Sequence, residues 1–152
     1  MARLPLVHAE LTVAAIVRVD DRYLVVEEFA HGERVINQPA GHVESGETIL
    51  DAVVRETREE TAWGFTPTGL VGMYYWPHDD GRTTLRFAFC GEVFGHAGDQ
   101  SLDEGIIAAH WLTRDELARR DDLRSPLVLR AIEDFSTCEP LPLDRVQHVH
   151  GR

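Results

Sequence analysis

Glu56, Glu59 and Glu60 stand close together in the run Thr48–Ala62. In a helix, positions i, i+3 and i+4 are neighbours about 5–6 Å apart at Cβ, so the three carboxylates converge on one patch. Like charges at that spacing repel, and more strongly where water is excluded. The patch also lies toward the C-terminal end of the helix, where the macrodipole disfavours anions. Three unfavourable choices in one place call for a compensating partner. A hard divalent cation with oxygen ligands, Mg²⁺ or Mn²⁺, is the simplest. Such an ion polarises phosphoryl oxygens and activates water.

A solvated helix face is the plain alternative, and the helical wheel tests it. At about 100° per residue, with Glu56 at zero, the apolar stripe of Leu50, Val53, Val54 and Thr57 centres near roughly +110°. Asp51, Arg55 and Glu59 fall on the opposite, solvated side. Glu56 lies on the boundary, and Glu60, at about +40°, leans toward the core. Solvation therefore accounts for part of the charge run and leaves Glu56 and Glu60 to be explained.

The elements that must position these groups can be read from the chain around them. Glu10–Val19 is rich in β-branched residues and reads as a strand. Asp20–Arg22 supplies a tight turn into a second strand, Tyr23–Phe29. Arg34–Gln38 is a short extended piece, followed by a glycine-punctuated loop, Pro39–Glu47. Thr48–Ala62 has helical spacing, and Thr48 with Asp51 forms a capping box at its start. Thr68–Trp76, Thr83–Val93 and Ile106–Leu112 read as strands. Thr113–Arg119 and Pro126–Phe135 read as helices, the second with Ser125 as N-cap and Pro126 in its first turn. One mixed α/β domain over residues 1–136, with a tail at 137–152, is the economical organisation.

The 152 residues suit one domain of ordinary size, with 26 acidic side chains against 15 basic ones, all arginine, for a formal charge of −11. So acidic a chain argues against nucleic-acid or anionic-membrane partners. It is compatible with a small phosphorylated substrate if a cation bridges the like charges. No apolar run approaches the ~20 residues of a membrane span, and no secretory leader is visible at the start. Cys90 and Cys138 are too few for a disulfide framework, so a cytoplasmic protein, monomer or homodimer, is expected. The histidines lack zinc-binding spacing.

Gly41, five residues, Glu47, seven residues, then Arg55-Glu56-Thr57-Arg58-Glu59-Glu60-Thr61-Ala62-Trp63 resembles the Nudix box of the Nudix hydrolases. The resemblance implies the Nudix αβα sandwich, a mixed β-sheet between helices, from His8 to Phe135. It implies that Glu56, Glu59 and Glu60 are catalytic and hold the metal, joined by the carbonyl of Ala40 or Gly41. Glu56 or a residue outside the box would then orient or deprotonate the attacking water, and Glu47 would pair with Arg55. A further carboxylate before a late strand is implied at Glu104, with Asp103 as the rival. Two positions depart from the pattern: Thr57 replaces an aliphatic residue, and Ala62 replaces a glycine. A left-handed Ala62 costs about 1 kcal/mol, so Gly64 is the alternative helix cap.

Three further stretches, LTVAAIV…YLVVEE, INQPAGHVE and LRSPLV, are similar to the NudJ-type phosphatases within that family. They imply hydrolysis of nucleoside di- and triphosphates or thiamine-type pyrophosphates with release of inorganic phosphate. A hydrolase of another nucleoside diphosphate-linked compound and a non-catalytic ligand sensor are the alternatives; a sensor would be expected to lose box carboxylates. Arg34, Gln38 and Arg86 are the candidate substrate-binding residues, and Tyr74, Tyr75 and Trp76 could stack a ring.

Overall fold

Residues 2–151 are described by a computed structural model. In chain order it contains β1 (Glu10–Ile16), β2 (Arg18–Val19), β3 (Arg22–Ala30), β4 (Glu33–Asn37), β5 (Ala40–His42), α1 (Ile49–Thr61), β6 (Gly64–Pro77), β7 (Thr83–Phe94), β8 (Ile106–Thr113), α2 (Arg114–Ala118) and α3 (Leu127–Thr137), then a single 3₁₀ turn, Leu143–Arg145. Strand β1 is apolar on both faces, and the architecture follows from that. Val13 and Ala15 join a core with Ala52 and Val53 of α1, Phe65, Leu70 and Phe89. Ile16 points the other way, into a core with Tyr23, Val25, Ala88 and Cys90, closed by Leu117 of α2 and by Ala131 and Ile132 of α3. A strand buried on both faces needs a helix on each side. The expected αβα sandwich is what the chain builds.

The expected mixed sheet is realised as two four-stranded sheets. In the first, ordered β5-β1-β7-β6, β1 runs parallel to β7 from Glu10↔Thr84 to Ile16↔Cys90, while β5 and β6 are antiparallel to their neighbours. In the second, β3 pairs antiparallel with β2, β4 and β8. The predicted strand Glu10–Val19 breaks at Val17 because the chain there passes from one sheet to the other. Val17 sits in the α1-side core, and its carbonyl accepts from Leu24 N at 3.0 Å.

Other differences are local. The loop expected at Pro39–Glu47 contains β5, registered as Ala14↔Ala40 and Thr12↔His42. Strand β6 starts at Gly64, four residues earlier than expected, and tolerates Pro67 because it is an edge strand with a register shift there. The N-cap of α3 is Pro126; Ser125 contributes its Oγ as acceptor for Leu127 N at 3.2 Å. Beyond α3 the chain returns to the core: Leu141 forms a two-way backbone bridge with Leu70, and Leu143 and Val146 pack on the α1-side cluster.

The end of α1 resolves the glycine departure. Ala62 itself adopts the left-handed conformation, φ 62°, and its N–H caps the helix on Arg58 O, so Gly64 is not the cap. The strain of about 1 kcal/mol is offset in part by burial of the alanine methyl, worth about 0.8 kcal/mol. Among the described residues, no helix is long and apolar enough to cross a membrane.

The two cysteines occupy opposite environments. Cys90 is buried and burial pushes its thiol up, whereas Cys138 is exposed. A chromogenic disulfide reagent at pH 8 is expected to titrate one thiol per folded chain rapidly and the second only on unfolding. Rapid reaction of both in the native protein would contradict the burial of Cys90 against Thr68 and Gly69 of β6.

Candidate active site

Helix α1 is held at its start by the expected capping box: Thr48 Oγ1 accepts from Asp51 N at 3.0 Å, and Asp51 Oδ2 accepts from Thr48 N at 3.1 Å. Its second half buries Glu56, Thr57, Glu60 and Thr61. The threonines need no outside partner, because Thr57 Oγ1 donates to Val53 O at 2.7 Å and Thr61 Oγ1 to Thr57 O at 2.6 Å. The hydroxyl that replaces the usual aliphatic side chain is thereby satisfied within the helix. The glutamates are not so simply accommodated. Glu56 and Glu60 are only 8% and 6% exposed, while Glu59 stays half-exposed. Glu56, placed by the wheel at the boundary, is drawn further inward.

Strand β5 is what receives these side chains. Ala40 N donates to Glu60 Oε2 at 3.1 Å. Gly41 lies flat against the Glu56 carboxyl, and a Cβ there would stand 2.2 Å from Glu56 Cδ. Any side chain there would push the Glu56 carboxyl out of its present position. Desolvation raises both acids, Glu60 to about 9 and Glu56 above the usual carboxylate range, the latter held partly down by Arg55.

Arg55 organises the remaining charge. Its Nε and Nη2 donate to the two oxygens of Glu47 at 3.0 and 2.8 Å, a bidentate pair. Nη2 also donates to His42 O at 2.9 Å, tying β5 to the helix. Nη1 donates to Glu56 Oε1 at 2.9 Å and to Glu59 Oε2 at 3.1 Å, and Glu44 lies at 3.8 Å. The pairing of Glu47 with Arg55, implied by the box, is the anchor of the group.

Two more carboxylates act on this patch. Glu28, at a β-bulge in β3, and Asp103, whose N–H donates to Glu59 O at 2.8 Å, both push Glu60 up; Asp103 pushes Glu56 as well. Glu104, the expected further ligand, and Asp103, its rival, are both exposed; Asp103 is the one whose backbone is bonded to α1 and whose charge reaches Glu56 and Glu60. The Asp103 N–H bond to Glu59 O ties this turn to the end of α1. Glu28 is not among the sequence-predicted site residues, because the bulge at Glu27/Glu28 shifts the alternation that would place it.

The patch can be tested for its fit to a divalent cation. Among the described residues, no three His, Cys, Asp or Glu side chains are drawn together into an ion-holding group. Glu60 is turned to Ala40 N, and Glu56 and Glu59 share the Nη1 edge of Arg55. The donor set nevertheless fits. It is all hard oxygen, two of the acids are buried, and the one positive charge among them is anchored by its other edge to Glu47. Glu56 and Glu59 can turn from Nη1 without freeing Arg55.

Beside this patch opens a cavity of about 570 Å³ whose wall carries Arg34, Arg82, Arg86 and Arg124. Trp76 lies on it with His78 stacked 3.8 Å away, and His78 Nε2 is 2.8 Å from Thr84 Oγ1. The three helix glutamates are not in the wall, but the charges of Glu60 and Glu28 act on Arg86. Arg34 and Arg86, both anticipated, line the cavity. Gln38 does not: it is 2% exposed, and its amide donates to Val128 O at 2.7 Å, tethering the β4–β5 connection to α3. Of the three aromatic residues, only Trp76 reaches the cavity, since Tyr74 OH donates to Asp134 and Tyr75 is turned outward.

Comparison with known proteins agrees with this architecture. Residues 8–131 match the family model described as "NUDIX domain". The chain is 35% identical over 136 residues to "Phosphatase NudJ" of Escherichia coli and of Shigella boydii, covering 90% of this chain and 89% of each relative. A solved "NUDIX hydrolase from Nitrosomonas europaea" superposes with a TM-score of 0.90 at 43% identity, covering 93% of this chain and 98% of that one. A "MutT NUDIX hydrolase from Burkholderia pseudomallei", 19% identical, shares the fold with a TM-score of 0.72 over 84% of this chain and 98% of its own.

Removing the central cation should expose the cost of this charge group. Arg55→Met, measured by thermal unfolding in chelator at pH 8, is expected to cost about 2–3 kcal/mol, reduced from a fully buried pair because the group is partly open to water. That corresponds to a fall of roughly 5–10 °C in Tm. A change within one degree would show that Arg55 does not hold the patch together.

Proposed function

The chain belongs to the Nudix hydrolases, and we propose that it hydrolyses phosphoanhydride bonds of nucleoside di- or triphosphates or thiamine-type pyrophosphates, with Mg²⁺ or Mn²⁺, releasing inorganic phosphate and a monophosphate. One observation carries the reading: Glu56 and Glu60 are buried carboxylates pressed on β5, next to a cavity walled by four arginines. Acids so placed are expensive unless a cation offsets them. The arginines offer a polyphosphate its own neutralisation in an otherwise acidic chain.

In this reading Glu56, Glu59 and Glu60 hold the ion, with the Ala40 carbonyl and Asp103 as further oxygens. When bound, the ion supplies charge neutralisation on the phosphoryl oxygens and lowers the pKa of water. Glu56, raised by burial, takes a proton from the attacking water as its oxygen bonds to phosphorus and the anhydride P–O bond breaks. Gly41 keeps that carboxylate where it is needed, and Arg55 fixes the loop to the helix through Glu47. Arg34 and Arg86 receive the phosphate chain. The partner is a small phosphorylated molecule in the cytoplasm, with no nucleic acid or membrane involved, and the chain acts as a monomer or homodimer. A second reading, another nucleoside diphosphate-linked compound, is favoured by Trp76 and His78, a ring platform on the same cavity. The sensor alternative is weakened by the retention of all three glutamates.

A panel of nucleoside di- and triphosphates, thiamine pyrophosphate and nucleotide sugars, assayed with each metal for phosphate and pyrophosphate release, tests the substrate class. Glu56→Gln and Glu60→Gln are expected to lose at least about 100-fold in kcat with unchanged circular dichroism. Full activity in a folded Glu60→Gln variant would overturn the assignment. Preference for nucleotide sugars would select the second reading.

A further inference from the structure

Residues 138–148 leave the α3 layer, cross the edge of the first sheet and finish against α1 on its other face. The crossing is fixed at β6, where Leu70 N donates to Leu141 O and Leu141 N to Leu70 O, both at 2.8 Å. Gly69 gives the segment room, since a Cβ there would stand 2.8 Å from Pro140 Cβ. The 3₁₀ turn then redirects the chain, and Leu143 and Val146 pack on the α1-side core. Val146, Gln147 and His148 form one side of a cavity of about 320 Å³. Facing them are Val43 and Glu47 of the loop after β5, with Thr48 and Leu50 at the start of α1. Glu47 is the anchor of Arg55, and Thr48 is the N-cap of the helix. The segment also reaches the capping box: Asp51 is held below the usual carboxylate range by its bonds with Thr48 and, to a smaller extent, by the charge of His148.

We propose that residues 138–148 are a positioning strap for the carboxylate helix, in which Val146 seats the loop 43–47 and the first turn of α1. The proposal rests on the reading of Glu56, Glu59 and Glu60 as the metal-holding group and extends it to a segment far from them in sequence. The path between the two is short. Val146 and Glu47 wall one cavity, and Glu47 holds Nε and Nη2 of Arg55. Nη1 of the same guanidinium donates to Glu56 at 2.9 Å and to Glu59 at 3.1 Å. The loop needs outside support, because its own backbone bond is long, Glu47 N to Glu44 O at 3.3 Å, and Gly46 turns it at φ 88°. With the strap displaced, the cavity floods, the loop loses its apolar backing, and the Glu47–Arg55 pair becomes a solvated pair that orients little. Burial of Leu143 and Val146 by itself would serve stability; contact with Glu47, Thr48 and Asp51 together ties the strap to the joint that aims the glutamates. The strap takes no part in the wall of the arginine-lined cavity, so its loss acts on the carboxylates and leaves the seat of the phosphate chain in place.

Full-length variants test this. Val146→Ser removes the apolar contact, and Leu141→Pro removes the N–H that donates to Leu70 O, at a side chain more than half exposed. Val146→Ile adds one methyl where a cavity can take it and is the conservative control. Hydrogen exchange is the first readout. In Val146→Ser and Leu141→Pro the amides of Val43, Glu44 and Ala52 should gain at least about tenfold more in rate than Phe89 of β7, with Val146→Ile unchanged. Mn²⁺ binding, followed by electron paramagnetic resonance, should weaken at least about threefold in the first two variants and stay native in the third. On whichever compound the substrate panel identifies, kcat should fall at least about fivefold with KM held within about twofold. Equal gains at Phe89 and in the loop, native exchange in the loop, or native Mn²⁺ binding and kcat beside a loosened loop would each overturn the proposal. A native chain that neither bound Mn²⁺ nor turned over any compound would refute the hydrolase reading, and exchange would still decide whether the strap seats the loop.

Discussion

A single helix turn that carries two buried carboxylates imposes the demands that the surrounding structure meets. Glu56 and Glu60 come from the buried face of α1, so the packing that drives the helix onto the sheet also draws their charges out of water. The fold answers with groups that cost little. A strand three residues long brings Ala40 N to Glu60 and the bare backbone of Gly41 to Glu56. Arg55, projecting from the same helix, gathers Glu44, Glu47, Glu56 and Glu59 around one guanidinium. Three elements, β5, the loop after it and α1, are thus joined by electrostatics as well as by the apolar packing of Val43 on the α1-side core. Such a joint is sensitive to any added cation.

Much of this was legible because it is written in local periodicity. The helix, its capping box and the inward lean of Glu60 all depend on residues within a few turns of each other, where spacing determines direction. The resemblance then gave the Glu47–Arg55 pair. What the sequence could not convey was long-range. Strand β5 has only three residues, one of them glycine, and is a strand solely because β1 lies beside it. Asp103 rather than Glu104 is tied to α1 by its backbone bond to Glu59 O, a contact that no local spacing records. Gln38 looked available because it precedes the box, yet α3 lies over it and claims its amide. Glu28 reaches the patch through a bulge, which shifts the alternation that strand periodicity relies on.

Division of the strands into two sheets explains how one small domain has both a sealed core and a site. Val17 is the crossing point: before it the chain pairs with β7, after it with β3. Apolar side chains fill the α1 side and the α3 side of this junction. At the far ends of β1 and β7, the side chains facing the cavity become polar: Glu10, Thr12, Thr84 and Arg86. Along one pair of strands the same alternation that builds the core at Ala88 and Cys90 builds the cavity wall at Thr84 and Arg86. Core and site are continuous, so positions in the wall inherit the rigidity of the parallel ladder beneath them.

That continuity bears on how an acidic chain can handle an anionic substrate. A formal charge of −11 repels polyphosphates at long range, and the arginines reverse the sign only locally. Most of them are already committed to carboxylates, so their contribution is largely cancelled before any ligand arrives. An arginine fixed in a rigid strand without a partner escapes that cancellation. Because it is withdrawn from solvent, salt screens it less than its exposed counterparts. The carboxylate patch needs positive charge and the arginine needs negative charge, and the metal-bearing polyphosphate of the proposed function would supply both in one molecule. In the proposed reading the two unfavourable burials are not separate defects of the fold: each is offset by the opposite charge that a metal-bound polyphosphate would bring.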